Sequence, residues 1–139
     1  MDAEKVFKYF SYFGVIGLSA FVVTPLVAEN TTVFFLIFDG NYSELFDLTP
    51  GMGNGPSIMI FYPIVLYATP LYLHYRYIRT SDSIYVSILF DYWVIVAVLR
   101  LLSIFSKGFV WDFYMQFAVP VEIVLPFIYF YFKKELSKI

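Results

Sequence analysis

Four ionisable residues interrupt long apolar stretches of this sequence: Asp91, Arg100, Asp112 and Glu122. In hydrocarbon each would cost at least about 2.5–3.5 kcal/mol unless it is paired or reaches water. Two carboxyls held together can share a proton, which is the arrangement a proton relay or a cation site uses. Asp91 and Glu122 are the candidates for that chemistry. Helical rise puts Asp91 about 12 Å from one end of its stretch, and Glu122 about 15 Å from the same end of the next. An acid pair is therefore geometrically open. The plainer reading is that each carboxyl is hydrogen-bonded to tyrosine, serine or backbone and has no role beyond structure. Arg100 and Asp112 share a second depth, where they can form a structural ion pair or a partner contact, or where Arg100 can extend to headgroups. Asp91 and Arg100 lie about 900° of helical rotation apart, hence on opposite faces. Both cannot point at the same neighbour, which directs at least one of them to another helix or a partner chain.

Other chemistries are excluded. Cysteine is absent, so disulfides, thiolate catalysis, iron–sulfur clusters and cysteine zinc sites are impossible. The one histidine, His74, sits near the end of an apolar stretch, two residues before Arg76. An interfacial side chain is the expectation there, not a metal ligand, and bis-histidine haem ligation within the chain is ruled out. No metal, no other cofactor and no catalytic set is expected. Residues 50–56 read Pro-Gly-Met-Gly-Asn-Gly-Pro. They are rich in turn formers but carry neither a P-loop lysine nor a Rossmann spacing, so they read as a connector. A net charge of −2 with no basic stripe argues against nucleic acid as a partner.

The elements that must position these residues are set by composition. Of 139 residues, 60% are hydrophobic, 23% aromatic and 14% charged. Soluble domains carry about 25% charged residues, and a chain this short could not hide so much apolar surface from water. Crossing a bilayer takes about 20 apolar residues in a helix. Four stretches qualify, at 6–28, 57–77, 83–106 and 109–132. The expected fold class is thus an all-α membrane protein, a single four-helix transmembrane domain over residues 1–139. The first stretch is longer than the ~7–15-residue core of a secretory signal, so a signal peptide is not the expected reading. With four spans, Lys5, Lys8, Arg76, Arg79, Lys133, Lys134 and Lys138 share one side, and Lys107 stands alone on the other. The excess of lysine and arginine on cytoplasmic sides then puts both termini in the cytoplasm and the loop 29–56 outside.

That loop has no lysine or arginine but holds Glu29, Asp39, Glu44 and Asp47. Asn30-Thr31-Thr32 and Asn41-Tyr42-Ser43 both match the glycosylation sequon, as chance triplets also do. Thr31–Phe38 is apolar and rich in strand formers but too short to span. Pro25, Pro63, Pro70, Pro120 and Pro126 fall in or near the spans and are expected to bend them. Tyrosine and tryptophan cluster towards the span ends, with Tyr72, Tyr75, Tyr77, Trp111 and Tyr114 suited to interfacial belts. Tyr62, Tyr67 and Tyr92 lie deeper, and their hydroxyls need partners.

Through Tyr42-Ser43-Glu44-Leu45-Phe46-Asp47 in the first loop and Val119-Pro120 to Pro126 in the last span, the layout loosely resembles the four-helix membrane proteins of the sterol-isomerase and sigma-2 receptor superfamily. That resemblance implies acidic residues inside the first and second helices, and this chain has none there. No functional residue is carried over from it. The leading functional expectation is a non-catalytic accessory subunit of a larger membrane complex. Its partners would be other membrane subunits or further copies of the chain, together with lipid. A small ion- or proton-coupled transporter using Asp91 and Glu122 is the alternative. A lipophilic-ligand-binding or lipid-modifying protein ranks last.

Overall fold

The structure, a computed structural model, describes residues 2–27, 55–107 and 113–137. These form four helices: α1 Ala3–Val27, α2 Gly55–Thr80, α3 Ile84–Lys107 and α4 Phe113–Leu136. Local signals start and stop them. Asp2 caps α1, accepting the Glu4 N–H at 3.1 Å on its carboxylate, and Glu4 adds negative charge to the first turn, where the helix dipole favours it. At the end of α2, Ser81 takes a left-handed backbone (φ 53°) and donates its N–H to the Tyr77 carbonyl at 2.7 Å. Asp82 then caps α3, accepting the Ile84 N–H at 2.9 Å. A left-handed residue followed by an aspartate cap turns the chain within three residues, so α2 and α3 run antiparallel. Lys133 and Lys134 sit in the last turn of α4, where positive charge suits the carbonyl end.

Each helix buries a stripe of i, i+3/4, i+7 spacing. On α1 it is Phe7 and Ser11, on α2 Pro70, Leu73, His74 and Tyr77, on α3 Val86, Leu89 and Trp93, and on α4 Glu122, Pro126, Tyr129, Phe132 and Leu136. α1 packs along α2 and α3 along α4. The two pairs join through α2–α3 and through rings that α1 and α4 exchange. Phe7 is the hub. It meets Tyr77 edge-on at 4.7 Å between centroids, Phe132 at 4.8 Å and Tyr129 at 6.1 Å. Such ring pairs are worth about 0.5–1.5 kcal/mol each beyond the area they bury. All of these residues lie at the end of the bundle that holds both chain termini, called the terminal end below.

The far half of α3 is different. Ile95, Leu99, Leu102 and Phe105 are exposed, Phe105 to 85%. Among the described residues, Ile84–Ser106 is the one stretch long and apolar enough to cross a membrane, with a mean hydropathy of 2.1. The all-α, four-helix architecture is therefore observed, and the helices overlap all four expected stretches. α4 runs past residue 132 to Leu136, because lysine and glutamate are good helix formers that need no lipid. Asn30, Asn41, Asp112, the segment Thr31–Phe38 and Trp111 lie outside the described residues.

One proline prediction gains a mechanism. Pro70 has no N–H to offer the carbonyl four residues back, which is that of Leu66. The Tyr92 hydroxyl on α3 donates to that carbonyl. A deep tyrosine in need of an acceptor and a carbonyl freed by proline thus satisfy each other, which pins α3 to α2.

Candidate functional site

Polar groups gather at two levels of the bundle. The level nearer the terminal end is centred on His74, which is buried, at 1% exposure, instead of interfacial as its place in the sequence suggested. It lies one turn inside the last turn of α2, on the stripe that faces α1 and α4. Its Nδ1 is 3.0 Å from Ser11 Oγ of α1, and its Nε2 is 2.8 Å from Tyr129 Oη of α4. A neutral imidazole donates through one nitrogen and accepts through the other, and each hydroxyl can take either part. Both ring nitrogens are therefore satisfied, and three helices meet on one side chain.

Gly14 makes that junction possible. A Cβ there would stand 2.9 Å from both Cδ2 and Nε2 of His74, closer than atoms tolerate. With hydrogen in that place the imidazole lies against the α1 backbone. Phe7, Ser11 and Gly14 follow i, i+4, i+7 on α1, so glycine, serine and phenylalanine make one face graded in size. Next to this junction Tyr77 Oη and Trp93 Nε1 are buried with no hydrogen-bond partner among the described residues.

A serine and a histidine in hydrogen-bond contact raise the question of nucleophilic catalysis. The geometry answers against it. Ser11 is fully buried, so no substrate reaches its hydroxyl, and a tyrosine, not a carboxylate, holds the second ring nitrogen. The site can fix helix positions. It cannot present a nucleophile.

The second level is an ion pair. Arg100 of α3 donates from Nε to Glu122 Oε2 at 2.6 Å and from Nη2 to Oε1 at 3.1 Å. The fork is bidentate, with side-chain exposures of 21% for Arg100 and 5% for Glu122. Planar two-point pairing is the strongest form of this contact. Asp91 lies closer to the terminal end of α3. Its carboxylate is 64% exposed and 3.5 Å from Lys133 Nζ. Lys133 also lies 4.6 Å from the centre of the Phe90 ring, a cation–π contact.

The observed pairings differ from the acid pair that the spacing left open. Asp91 and Glu122 do not form an acid pair, because each takes a cation from the neighbouring helix. Arg100 takes Glu122; Asp112, the partner that the sequence reading offered it, lies outside the described residues. Asp91 and Arg100 both reach α4 although they lie on opposite faces of α3, since the flexible arginine and lysine stems bend around the helix to meet the carboxylates. Among the described residues no group of histidine and carboxylate side chains is arranged to hold a metal ion.

Ser11, Gly14 and Tyr129 escaped the sequence reading. Their shared signal is the heptad-like spacing that puts Ser11 and Gly14 on the Phe7 face and Tyr129 on the Glu122–Pro126 face. That spacing shows which residues face inward but not which helix they face. No protein family, curated protein or solved structure significantly matches the chain.

Proposed function

We propose that the chain is a four-span membrane protein with both termini in the cytoplasm, serving as a non-catalytic accessory subunit of a larger membrane assembly. Asp91 carries this reading. It projects from the most apolar of the described helices, seven residues or about 10 Å beyond its start, and its carboxylate is mostly exposed. Lipid tails are a poor medium for a group open to this extent, even one that touches a lysine. A polar surface on a second protein is a good one. The exposed apolar residues around it, Ile84, Ile88 and Ile95, suit either lipid or a packed partner helix.

The ion-coupling alternative loses its main support, because each of its two carboxylates is matched to a cation. Among the described residues no observation favours the lipid-modifying reading. The test is gentle extraction from native membranes followed by mass determination of the intact complex. A partner at fixed stoichiometry is expected, and Asp91→Asn should weaken the association while leaving helicity unchanged. A monomer with no stable partner would overturn the proposal.

A further inference from the structure

We infer that the terminal end of α2 carries a binding site for a phosphate-bearing anion, formed by Arg76 and Arg79. An open recess of about 310 Å³ is lined by Tyr75, Arg76, Arg79 and Thr80. Its lining holds two guanidinium groups and two hydroxyls, and no carboxylate. Among the described residues neither arginine has an ion-pair partner, although four acidic residues, Asp2, Glu4, Asp82 and Glu135, lie at the same end of the bundle. The nearest in sequence, Asp82, has its carboxylate engaged in capping α3.

Arg76 is held in position. Its guanidinium carbon lies 5.9 Å from the centre of the Tyr72 ring and 5.5 Å from that of Tyr85. Its Nε is shielded from solvent and has no hydrogen-bond partner among the described residues. Stacking against two rings costs the arginine rotamer freedom before any ligand arrives, and a guanidinium fork matches the spacing of phosphate oxygens. The carbonyl end of a helix repels an anion with only about half an elementary charge, which two guanidinium charges exceed. Thr80 has already turned its hydroxyl proton to the Arg76 carbonyl at 2.9 Å, so the donors the recess offers an anion are those of the two guanidinium groups and Tyr75.

The site rests on the membrane reading, which puts this recess at the cytoplasmic headgroup level beside interfacial tyrosines. A phosphatidic acid or phosphatidylglycerol headgroup and a free phosphate ion share the required chemistry. Binding is read by native mass spectrometry of protein released from phosphatidylcholine bilayers doped with phosphatidylglycerol, and by thermal unfolding in zwitterionic detergent with and without inorganic phosphate. The double variant Arg76→Gln/Arg79→Gln should lose the bound anionic lipid, with affinity falling roughly tenfold or more. Lys5→Gln/Lys8→Gln removes the same charge from the same end outside the recess, and should retain the lipid. Stabilisation by inorganic phosphate that disappears in the arginine variant identifies a free-phosphate site, and retention of lipid with no phosphate effect identifies a headgroup site. Equal lipid retention by the wild type and both variants, with no phosphate response, overturns the inference while leaving the membrane reading intact. Failure to enter bilayers at all overturns both.

Discussion

The terminal end and the far half of the bundle solve the same problem in opposite ways. Near the termini, polar groups are small, neutral and shared. Ser11, His74 and Tyr129 knit three helices within a shell of aromatic rings, and glycine supplies the clearance. Farther along, one charged fork between Arg100 and Glu122 ties α3 to α4 while apolar side chains on the outer face of α3 stay uncovered. A neutral junction loses about one hydrogen bond's worth of energy when a member is removed. A desolvated ion pair leaves a bare charge behind when half of it is removed. The two regions should therefore respond to mutation on different scales.

The largest effect is expected at the ion pair. Arg100→Met should destabilise the bundle by about 3–5 kcal/mol, because Glu122 is left buried without its cation. Arg100→Met/Glu122→Leu should recover most of that loss. Unfolding titrations in mixed micelles measure both, and a single variant as stable as the double would break the contrast. Next comes Gly14→Ala, where a methyl group meets the His74 ring and should cost about 1–3 kcal/mol. Adding His74→Ala should make the alanine at position 14 nearly neutral, which shows that the loss is a collision and not helix propensity, since alanine is the better helix former.

How legible these features were in the sequence depends on what each requires. The helices came from apolar stretches and their flanks, which are local. The Arg100–Glu122 pair was also within reach. A connection centred near residue 110 sets Arg100 opposite residue 120, and the observed pairs keep that register, since nine residues along α3 from Asp91 to Arg100 answer eleven along α4 from Glu122 to Lys133. Estimating depth separately from each span end lost that constraint and produced the acid-pair expectation. The opposite-face argument treated side chains as rigid pointers, whereas long arginine and lysine stems reach around a helix. The His74 junction was hidden for a different reason. It needs α1 and α4, far apart in the chain, to converge on α2, and no local spacing encodes that approach.

Two smaller predictions sharpen the comparison. Tyr92→Phe removes the donor to the Leu66 carbonyl and should cost about 0.6–1 kcal/mol. A larger loss would mean that the tyrosine does more than satisfy a freed acceptor. Ser81→Gly relieves a left-handed backbone outside both polar levels and should stabilise the bundle by about 0.4–1 kcal/mol, read as a raised melting temperature.

The central claim is that the apolar outer surface lies in lipid and that both tails share one side. The natural absence of cysteine makes it directly testable with single cysteines introduced by Asp82→Cys, Ser137→Cys and Asn41→Cys in sealed vesicles of known orientation, probed with a membrane-impermeant maleimide. The account predicts that positions 82 and 137 react from the cytoplasmic face and position 41 from the opposite face, with the protein resisting alkaline extraction. Labelling of 82 and 137 from opposite faces, or release of the chain into the aqueous phase by alkali, would contradict it.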